Sequence, residues 1–247
     1  TIDDDFLARS KKLKFIGRVG AGLENIDVKA VKSRNIYLFN APEGNRNAVG
    51  EHSLGMLLSL MNRLKTGHAS IQSCQWDREG HRGWELSGRT VGIIGYGNTG
   101  KSFAKKISGF DVKTLCYDIL DNVGDQYANQ VDWKTLQAEC EIVSLHVPQT
   151  DLTHGLIDKN FIADMGQPFW LLNTARGSAV ITEDLVAGLK SKKIMGAGLD
   201  VLEYETRSFS SIFNADKLPP ALQYLMKADN VLLSPHVAGW THESHVK

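Results

Sequence analysis

An arginine, a glutamate and a histidine in the second half of the chain carry side chains suited to redox chemistry on an organic acid. Arg176 has a planar fork of donors and a fixed charge, with which it could clamp a substrate carboxylate and polarise the neighbouring carbonyl. His236 could move the proton that accompanies the interconversion of an alcohol and a ketone, because histidine titrates nearest to neutral pH. Glu205 would hydrogen-bond the other ring nitrogen and favour the imidazolium when the proton arrives.

Each of these residues also has a purely structural interpretation. His236 could be a core histidine bonded to the backbone, Glu205 a solvated acid in a loop, and Arg176 half of a surface ion pair, and such roles are the commoner ones for isolated residues. We assign structural roles to the remaining histidines, His52, His68, His81, His146, His154, His242 and His245. His242 and His245 could join a metal site, but no cysteine or carboxylate pattern supports one, and we predict none.

A glycine-rich stretch predicts a cofactor-binding turn. The run Val91–Ile94 is too short for a helix and rich in β-forming residues, which favours a buried parallel strand. It is followed by Gly95, Gly97 and Gly100 in the spacing of a dinucleotide-binding turn, although glycines alone also fit an ordinary tight loop. In such a turn the first glycine allows the bend, the second lets a pyrophosphate approach, and the third lets the helix lie close to the sheet. The start of the following helix would offer its amides to the phosphates.

An acidic residue after the next predicted strand selects the cofactor. Val112–Tyr117 is predicted to be a strand, and Asp118 follows Gly100 by close to the roughly 20 residues expected for a carboxylate that binds the adenosine ribose. A carboxylate there repels the 2′-phosphate of NADP, and Ile119 and Leu120 supply no arginine to receive one. We therefore predict that the cofactor is NAD.

The alternation of predicted strands and helices favours an α/β fold with a doubly wound, mostly parallel sheet. Further strands are predicted over Glu141–Val147, Trp170–Leu172, Ile194–Leu199 and Val231–Ser234, and helices over Lys101–Ser108, Trp133–Ala138 and Thr182–Lys190, the last with Thr182 as its cap. In such sheets, functional residues gather at the carboxyl ends of the strands. The residues that fall there and should ring one crevice are Asp118, Pro148, Arg176, Asp200 and His236. Glu205 can reach the same rim.

The first third of the chain predicts two short strands, a glycine turn and a long helix. The strands cover Lys14–Val19 and Ile36–Phe39, and the amides of the turn at Gly20–Gly22 could face an anion, although such a turn needs no ligand. A helix over Asn47–Lys65, with Asn47 as its cap, is apolar nearly all round. It either fills the core or packs against a second copy of the chain. The following segment, Thr66–Leu86, is interpreted as a loop with some irregular helix.

Composition and charge exclude several classes of function. The 247 residues contain 28 basic and 28 acidic side chains, so the formal net charge is zero and nothing indicates capture of nucleic acid or of an anionic membrane. No apolar run approaches the roughly 18 residues of a membrane span. The three cysteines, Cys74, Cys116 and Cys140, form no CxxC pair, which favours a reducing, cytoplasmic setting.

Four motifs, in this order, resemble the D-isomer-specific 2-hydroxyacid dehydrogenases. They are Gly88–Gly97, Asn173–Gly177, Asp200–Glu205 and Ser234–Gly239, and the resemblance extends from about Lys14 to Gly239. It implies a catalytic trio of Arg176, Glu205 and His236. It also implies a Rossmann NAD-binding domain joined to part of a flavodoxin-like substrate domain. The cofactor contacts that it implies are Asn98, Thr99, Asp118, Thr174, Ala175, Asp200 and Gly239.

The resemblance gives the glycine turn near the N-terminus a role in substrate binding. In this family a turn like Val19–Gly22 lies in the substrate domain, and its amides bind the substrate carboxylate, which implicates Val19 and Gly20. Within the family, Arg18–Asp27 and Pro42–Asn45 look most like the phosphoglycerate dehydrogenase branch. Arg18 would add a charge suited to a phosphate. The implied substrate is D-3-phosphoglycerate, oxidised to 3-phosphohydroxypyruvate in serine biosynthesis, with glyoxylate or hydroxypyruvate as the alternatives.

Two further expectations concern partners. An alternative function for this chain is that of a non-catalytic NAD-sensing module, as the same fold forms in corepressors. The intact trio of Arg176, Glu205 and His236 argues against it, because binding alone would not need these residues. The family pairs through its nucleotide-binding domains, and the apolar helix Asn47–Lys65 could form part of such an interface. We therefore predict a homodimer that acts on a small 2-hydroxy or 2-keto acid and binds no nucleic acid or membrane.

The resemblance divides the chain into three parts: residues 1–44 as a remnant of the substrate domain, 45–237 as the NAD-binding domain, and 238–247 as the start of the return to the substrate domain. Most of the substrate domain is expected to precede Thr1, and its closing helix to follow Lys247. Two departures from the family pattern affect the catalytic loop. Thr206 stands where a proline usually follows the glutamate, and a segment around Arg207–Tyr224 lengthens the path from Glu205 to His236.

Overall fold

The N-terminal segment forms a small parallel sheet with its own core. In the computed structural model, which describes residues 1–205 and 218–246, this sheet consists of β1 (Phe15–Arg18) and β2 (Tyr37–Asn40). Helices α1 (Asp4–Arg9) and α2 (Val28–Ser33) each begin at an aspartate that accepts a backbone N–H bond. The core side chains shared by these elements are Leu7, Ile16, Ile26, Ala30, Val31 and Ile36.

A long helix, α3 (Arg46–Met61), leads from the small sheet into the larger part of the structure. Its side chains Met56, Leu57 and Met61 are buried within this chain, so the core interpretation of the apolar helix holds. The predicted bounds are wrong at both ends. Asn47 lies inside the first turn, where its side chain accepts a hydrogen bond from Ser102, and so does not cap the helix.

The predicted long helix is interrupted near its C-terminal end. Arg63 takes a left-handed φ of 52°, which ends the regular α-helical backbone before a second helix, α4 (Leu64–Gln72). The segment Thr66–Leu86, interpreted as loop with irregular helix, therefore begins as regular helix. Three large apolar side chains in and just after α4 are exposed, namely Leu64, Ile71 and Trp76.

The larger sheet has seven strands, all parallel, in the order β5-β4-β3-β6-β7-β8-β9. These strands are β3 (Thr90–Ile94), β4 (Lys113–Tyr117), β5 (Asn129–Gln130), β6 (Ile142–Leu145), β7 (Phe169–Asn173), β8 (Ile194–Leu199) and β9 (Val231–Leu233). The chain winds outward from β3 to β5, then crosses back to β6 on the other side of β3. This reversal confirms the doubly wound fold and opens a crevice beyond the carboxyl ends of β3 and β6.

Helices connect the strands of the larger sheet. They are α5 (Asn98–Ile107), α6 (Trp133–Glu139), α7 (Lys159–Asp164), α8 (Thr182–Lys190) and α9 (Pro220–Lys227). The prediction that Thr182 caps α8 is wrong by one residue, because Ile181 occupies the cap position and the Thr182 amide donates to the Glu203 carboxylate at 2.8 Å. Within the described residues, no helix has the length and apolar character needed to span a bilayer.

His146 lies just beyond β6 in the interior of the larger part. Its ring packs on Phe103 of α5, with 5.5 Å between ring centroids, and its Nε2 lies 2.9 Å from Ser144 Oγ. Its Nδ1 is buried and has no hydrogen-bond partner among the described residues. Burial disfavours the charged imidazole and lowers the pKa of His146 from 6.5 to about 3.

We predict that His146 makes the fold sensitive to acid. Between pH 6.5 and about 3 the unfolded chain binds a proton that the folded chain excludes. The free energy of unfolding therefore has its full value above pH 6.5 and falls as the pH is lowered, by up to about 1.4 kcal/mol per pH unit from this group. Denaturant titrations between about pH 7 and about pH 4 should show a weaker pH dependence for His146→Gln than for wild type.

The control is His68→Gln, which replaces an exposed histidine of α4. Its pH dependence of unfolding should match that of wild type. Parallel pH dependences for wild type and His146→Gln would show that the buried ring does not contribute to acid sensitivity.

Candidate active site

The turn between β3 and α5 is shaped by its glycines. Gly95 has a φ of 89°, and a Cβ there would lie 2.7 Å from the carbonyl oxygen of His146. A Cβ on Gly100 would overlap the carbonyl oxygen of Gly95, so the helix can approach the turn only without a side chain. Gly97 differs, since a Cβ there would meet no described heavy atom within 4 Å.

The open space at Gly97 lies where the first amides of α5 begin, at Asn98 and Thr99. An anion there would meet unpaired amides and the positive end of a helix dipole. The turn therefore fits a pyrophosphate, the group that a dinucleotide cofactor would bring to it.

Asp118 is held at the end of β4 by backbone amides. Its Oδ2 accepts from the Tyr96 amide at 2.7 Å and its Oδ1 from the Leu120 amide at 3.0 Å, which ties the acid to the glycine turn. Each carboxylate oxygen keeps capacity for a further bond, as the hydroxyls of a ribose would require. Ile119 and Leu120 are exposed beside it, so an apolar surface adjoins the carboxylate.

The loop that carries Arg176 is fixed by a fully buried asparagine at the end of β7. Asn173 Nδ2 donates to the Arg176 carbonyl at 2.9 Å, and Asn173 Oδ1 accepts from the Ala175 amide at 3.1 Å. Thr174 Oγ1 lies 2.9 Å from Ser53 Oγ on α3. These bonds leave the loop little freedom, because both its backbone and its side chains are tied to buried elements.

The Arg176 loop touches the loop that carries Glu205. A Cβ on Gly177 would overlap the carbonyl oxygen of Leu202, so only glycine allows the two backbones to approach this closely. Glu205 Oε1 accepts from the Leu202 amide at 2.7 Å, and Oε2 lies 2.7 Å from His236 Nδ1. The structure thus brings the predicted glutamate and histidine into direct contact beside the arginine loop.

Asp200 fixes the segment that carries His236. The Asp200 carboxylate, 1% exposed, accepts from Ser234 Oγ at 2.6 Å and from the amides of Val237 and Ala238 at 2.9 and 2.8 Å. Its own carbonyl accepts the His236 amide at 2.8 Å. The sequence placed Asp200 at a strand end beside the crevice and among the implied cofactor contacts, and it did not reveal this role.

The carbonyl oxygens of the glycine turn after β1 are satisfied within the protein. Those of Val19 and Gly22 accept hydrogen bonds from Arg18, that of Gly20 from the Ala41 amide, and that of Ala21 from Asn40. Gly20 allows this shape with a φ of 120°. Such a turn is suited to bind an anion through its N–H groups. Two donors of Arg18, Nε and Nη1, are used in bonds to carbonyl oxygens of the turn.

Arg176 links the glycine turn to the larger sheet through a residue that sequence reasoning missed. Its Nε donates to Glu24 Oε1 at 2.6 Å and its Nη1 to the Ala175 carbonyl at 2.7 Å. Its Nη2 lies beside Gly22, where a Cβ would be 2.7 Å from Nη2 and would overlap Glu24 Oε2. Burial alone would raise the pKa of Glu24, but the hydrogen bond and charge of Arg176 hold that pKa below its usual range.

A signal for Glu24 was present in the sequence. A carboxylate two positions after an anion-binding turn would repel the anion, so it requires a cationic partner, and Arg176 was the available candidate. The partnership could not be read from spacing, because the two residues are 152 positions apart.

The remaining predicted residues, Pro148 and Gly239, follow β6 and β9. Pro148 is exposed beyond β6, and its carbonyl accepts from Thr153 Oγ1 at 2.7 Å. Gly239 faces Asn45, whose Nδ2 would be 2.6 Å from a Cβ on the glycine. Thr206 and residues 207–217 of the lengthened segment lie outside the described residues, and α9 forms its last part.

Comparison with known proteins identifies the family. Residues 54–238 match the sequence model described as D-isomer specific 2-hydroxyacid dehydrogenase, NAD binding domain. The hydroxypyruvate reductase of Thermotoga maritima is 34% identical over 243 residues, covering 97% of this chain and 75% of that protein. The D-3-phosphoglycerate dehydrogenase of Archaeoglobus fulgidus is 34% identical over 251 residues, covering 99% of this chain and 45% of that protein.

A solved structure agrees with this relationship. The D-lactate dehydrogenase of Aquifex aeolicus, crystallised with NAD and lactic acid, matches with a TM-score of 0.87 and 29% identity, covering 98% of this chain and 75% of that chain. The chain belongs to the D-isomer-specific 2-hydroxyacid dehydrogenases, NAD-dependent enzymes that act on the CH–OH group of their donors. The predicted Rossmann fold and the choice of NAD are confirmed.

We predict that a methyl group at Gly97 impairs cofactor binding without harming the fold. Because a Cβ at this position meets no described atom, Gly97→Ala should keep the wild-type melting temperature. The same Cβ points into the space beside the first amides of α5, so NADH affinity measured by fluorescence titration should fall about tenfold or more.

Gly109→Ala is the matched control, since a Cβ there also meets no described heavy atom within 4 Å and lies away from the turn. It should bind NADH as wild type does. Wild-type NADH affinity in Gly97→Ala would show that the pyrophosphate does not approach this turn.

Proposed function

We propose that this protein transfers a hydride between NAD and a D-2-hydroxy acid, with Arg176, Glu205 and His236 as its catalytic residues. The observation that carries the proposal is the 2.7 Å contact between Glu205 Oε2 and His236 Nδ1, beside the loop of Arg176. An imidazole held by a carboxylate at one nitrogen is the arrangement that a general acid and base requires.

The geometry supports a separate role for each of these residues in the reaction. Arg176 Nη2 and the amides of Val19 and Gly20 would hold the substrate carboxylate, and the arginine charge would polarise the adjacent carbonyl. NAD, when bound, supplies or accepts the hydride. His236 Nε2 would give a proton to the carbonyl oxygen during reduction and take it back during oxidation. Glu205 would hold Nδ1–H and stabilise the imidazolium, and such proton transfer typically contributes about 10²- to 10⁴-fold.

We propose that the cofactor lies along the crevice at the carboxyl ends of the strands. Asp118 would bind the adenosine ribose, and the glycine turn the pyrophosphate. The residues proposed to contact NAD are Gly95, Gly97, Asn98, Thr99, Gly100, Asp118, Pro148, Thr174, Ala175, Asp200 and Gly239. Asn98 and Thr99 begin α5, and Thr174 and Ala175 follow β7, so these four positions adjoin the crevice.

The substrate that we propose to test first is D-3-phosphoglycerate, oxidised to 3-phosphohydroxypyruvate in serine biosynthesis. The relative in Archaeoglobus fulgidus carries the name of that reaction. Arg18 adds a positive charge at the turn, although its Nε and Nη1 bond the carbonyls of Gly22 and Val19. Hydroxypyruvate is the second candidate, supported by the name of the Thermotoga maritima relative, and glyoxylate remains a third.

Three proposals concern organisation. We propose that residues 1–44 belong to a substrate domain, that 45–237 form the NAD-binding domain and that 238–247 are the return segment. The small sheet supports this division because it has a core of its own. We propose a homodimer through the NAD-binding domain, and Leu64, Ile71 and Trp76 are large exposed apolar side chains of that domain that such an interface could cover. The three free cysteines support a reducing, cytoplasmic location.

We predict that replacing His236 separates binding from turnover. The whole protein should oxidise NADH with at least one of 3-phosphohydroxypyruvate, hydroxypyruvate and glyoxylate, followed by absorbance. His236→Ala should bind NADH with wild-type affinity and lose about 10²- to 10⁴-fold in kcat, because the proton no longer has a positioned donor.

His154→Ala is the control, at a histidine in the loop after Pro148, and should keep full turnover. Retained turnover in His236→Ala would refute the catalytic assignment. A wild-type protein that binds NADH, turns over none of the acids and captures a protein partner in an NADH-dependent way would support the sensing module instead.

A further inference from the structure

Glu24 lies where the proposed reaction has no evident use for a negative charge. It follows the glycine turn whose amides would bind the substrate carboxylate, and its carboxylate is only 31% exposed. A carboxylate near an anion site opposes the binding of the anion unless it serves another purpose. Its contacts show what that purpose is.

The Arg176 guanidinium is held by two acceptors, one at Nε and one at Nη1. Glu24 Oε1 takes Nε–H at 2.6 Å, and the Ala175 carbonyl takes Nη1 at 2.7 Å. An arginine side chain has many rotamers, and two acceptors in the plane of the guanidinium select one orientation. The third nitrogen, Nη2, is thereby placed beside Gly22 of the turn, as is Glu24 Oε2.

The contact with Glu24 is the adjustable part of this arrangement. The Ala175 carbonyl belongs to the residue next to Arg176, so it restrains the guanidinium only locally. Glu24 reaches across from the small sheet and joins the turn to the arginine. Because the Arg176 side chain is only 23% exposed, water competes weakly for this charge-assisted bond.

We propose that Glu24 is a positioning residue, which orients the Arg176 guanidinium so that Nη2 and the turn amides form one binding site for the substrate carboxylate. This inference rests on the proposed function, because it assumes that Arg176 receives that carboxylate. The cost is partial neutralisation of the Arg176 charge, and the gain is a fixed direction for its remaining donors.

The test compares two substitutions that separate the hydrogen bond from the charge. Glu24→Gln keeps an oxygen acceptor for Nε–H, and Glu24→Ala removes it. Asp4→Asn is the matched control, because it removes a carboxylate that pairs with an arginine, Arg34, at 2.7 Å on the surface of the small sheet's segment. All are made in the whole protein.

The first measurement does not depend on turnover. A ¹H–¹⁵N spectrum of arginine Nε–H groups should show a protected signal for Arg176, assigned by its loss in Arg176→Lys. The signal should persist in Glu24→Gln and in Asp4→Asn and disappear in Glu24→Ala, because only that variant leaves Nε–H without its acceptor.

The second measurement is calorimetric binding of oxamate to the NADH-loaded protein. Glu24→Ala should weaken oxamate about ten- to a hundredfold, Glu24→Gln by much less, and Asp4→Asn not at all. In steady-state kinetics the loss in Glu24→Ala should fall mainly on KM for the 2-keto acid, since the proton-transferring pair is untouched.

Three results would overturn the proposal. The first is an Arg176 signal and oxamate affinity unchanged in Glu24→Ala, and the second is equal losses in Glu24→Gln and Glu24→Ala. The third is tighter oxamate binding in Glu24→Ala, which would mean that Glu24 only masks the arginine charge. If wild type turns over no 2-keto acid, the proposed function fails, while the spectrum and the oxamate affinities still decide the role of Glu24.

Discussion

The buried carboxylate of Asp200 is the interaction on which the arrangement of the site depends. A charge with 1% exposure is stable only when donors surround it. Here the donors are a hydroxyl and two amides from Ser234, Val237 and Ala238, all on the segment that follows β9. Satisfying one carboxylate therefore fixes the backbone around His236, which takes a left-handed φ of 55° between these donors. His52 of α3 adds to this arrangement through Ser234 Oγ at 2.9 Å.

The other two catalytic candidates are placed by backbone contacts of the same kind. Asn173 anchors the Arg176 loop, and the missing side chain of Gly177 lets that loop touch Leu202, whose amide in turn holds Glu205. The three functional groups thus depend on strand ends and close backbone approaches. Such support is what a site needs when small displacements of reacting groups cost large factors in rate.

The sequence predicted the elements whose formation is local. Six of the seven strands of the larger sheet were predicted from short β-rich runs, and the two-residue strand β5 was missed. The Gly95–Gly100 turn was predicted because its glycine spacing meets a steric requirement that the structure shows. Arg176, Glu205 and His236 were singled out by residue type and by their places at strand ends. The family resemblance then joined them into one trio.

The features that the sequence did not reveal depend on tertiary contacts. The position of Glu24 after the glycine turn indicates that it needs a cationic partner, but its neighbours in sequence do not identify that partner, which comes from a distant loop. Asn47 and Thr182 have the right side chains for helix caps, but Asn47 bonds Ser102 and the Thr182 amide is satisfied by Glu203. The break was missed because the left-handed residue is Arg63 and not a glycine or asparagine, although Asn62 stands directly before it at the C-cap of α3. Residue preferences for capping and for backbone conformation hold on average, but tertiary hydrogen bonds override them at these positions.

The most direct test of the account is the chirality of the product formed from a 2-keto acid and NADH. If Arg176 and the glycine turn hold the carboxylate while His236 protonates the carbonyl oxygen, the substrate presents one face to the cofactor, and chiral chromatography should detect only the D-2-hydroxy acid. Formation of the L-acid, or of a racemic product, would contradict this arrangement of the site.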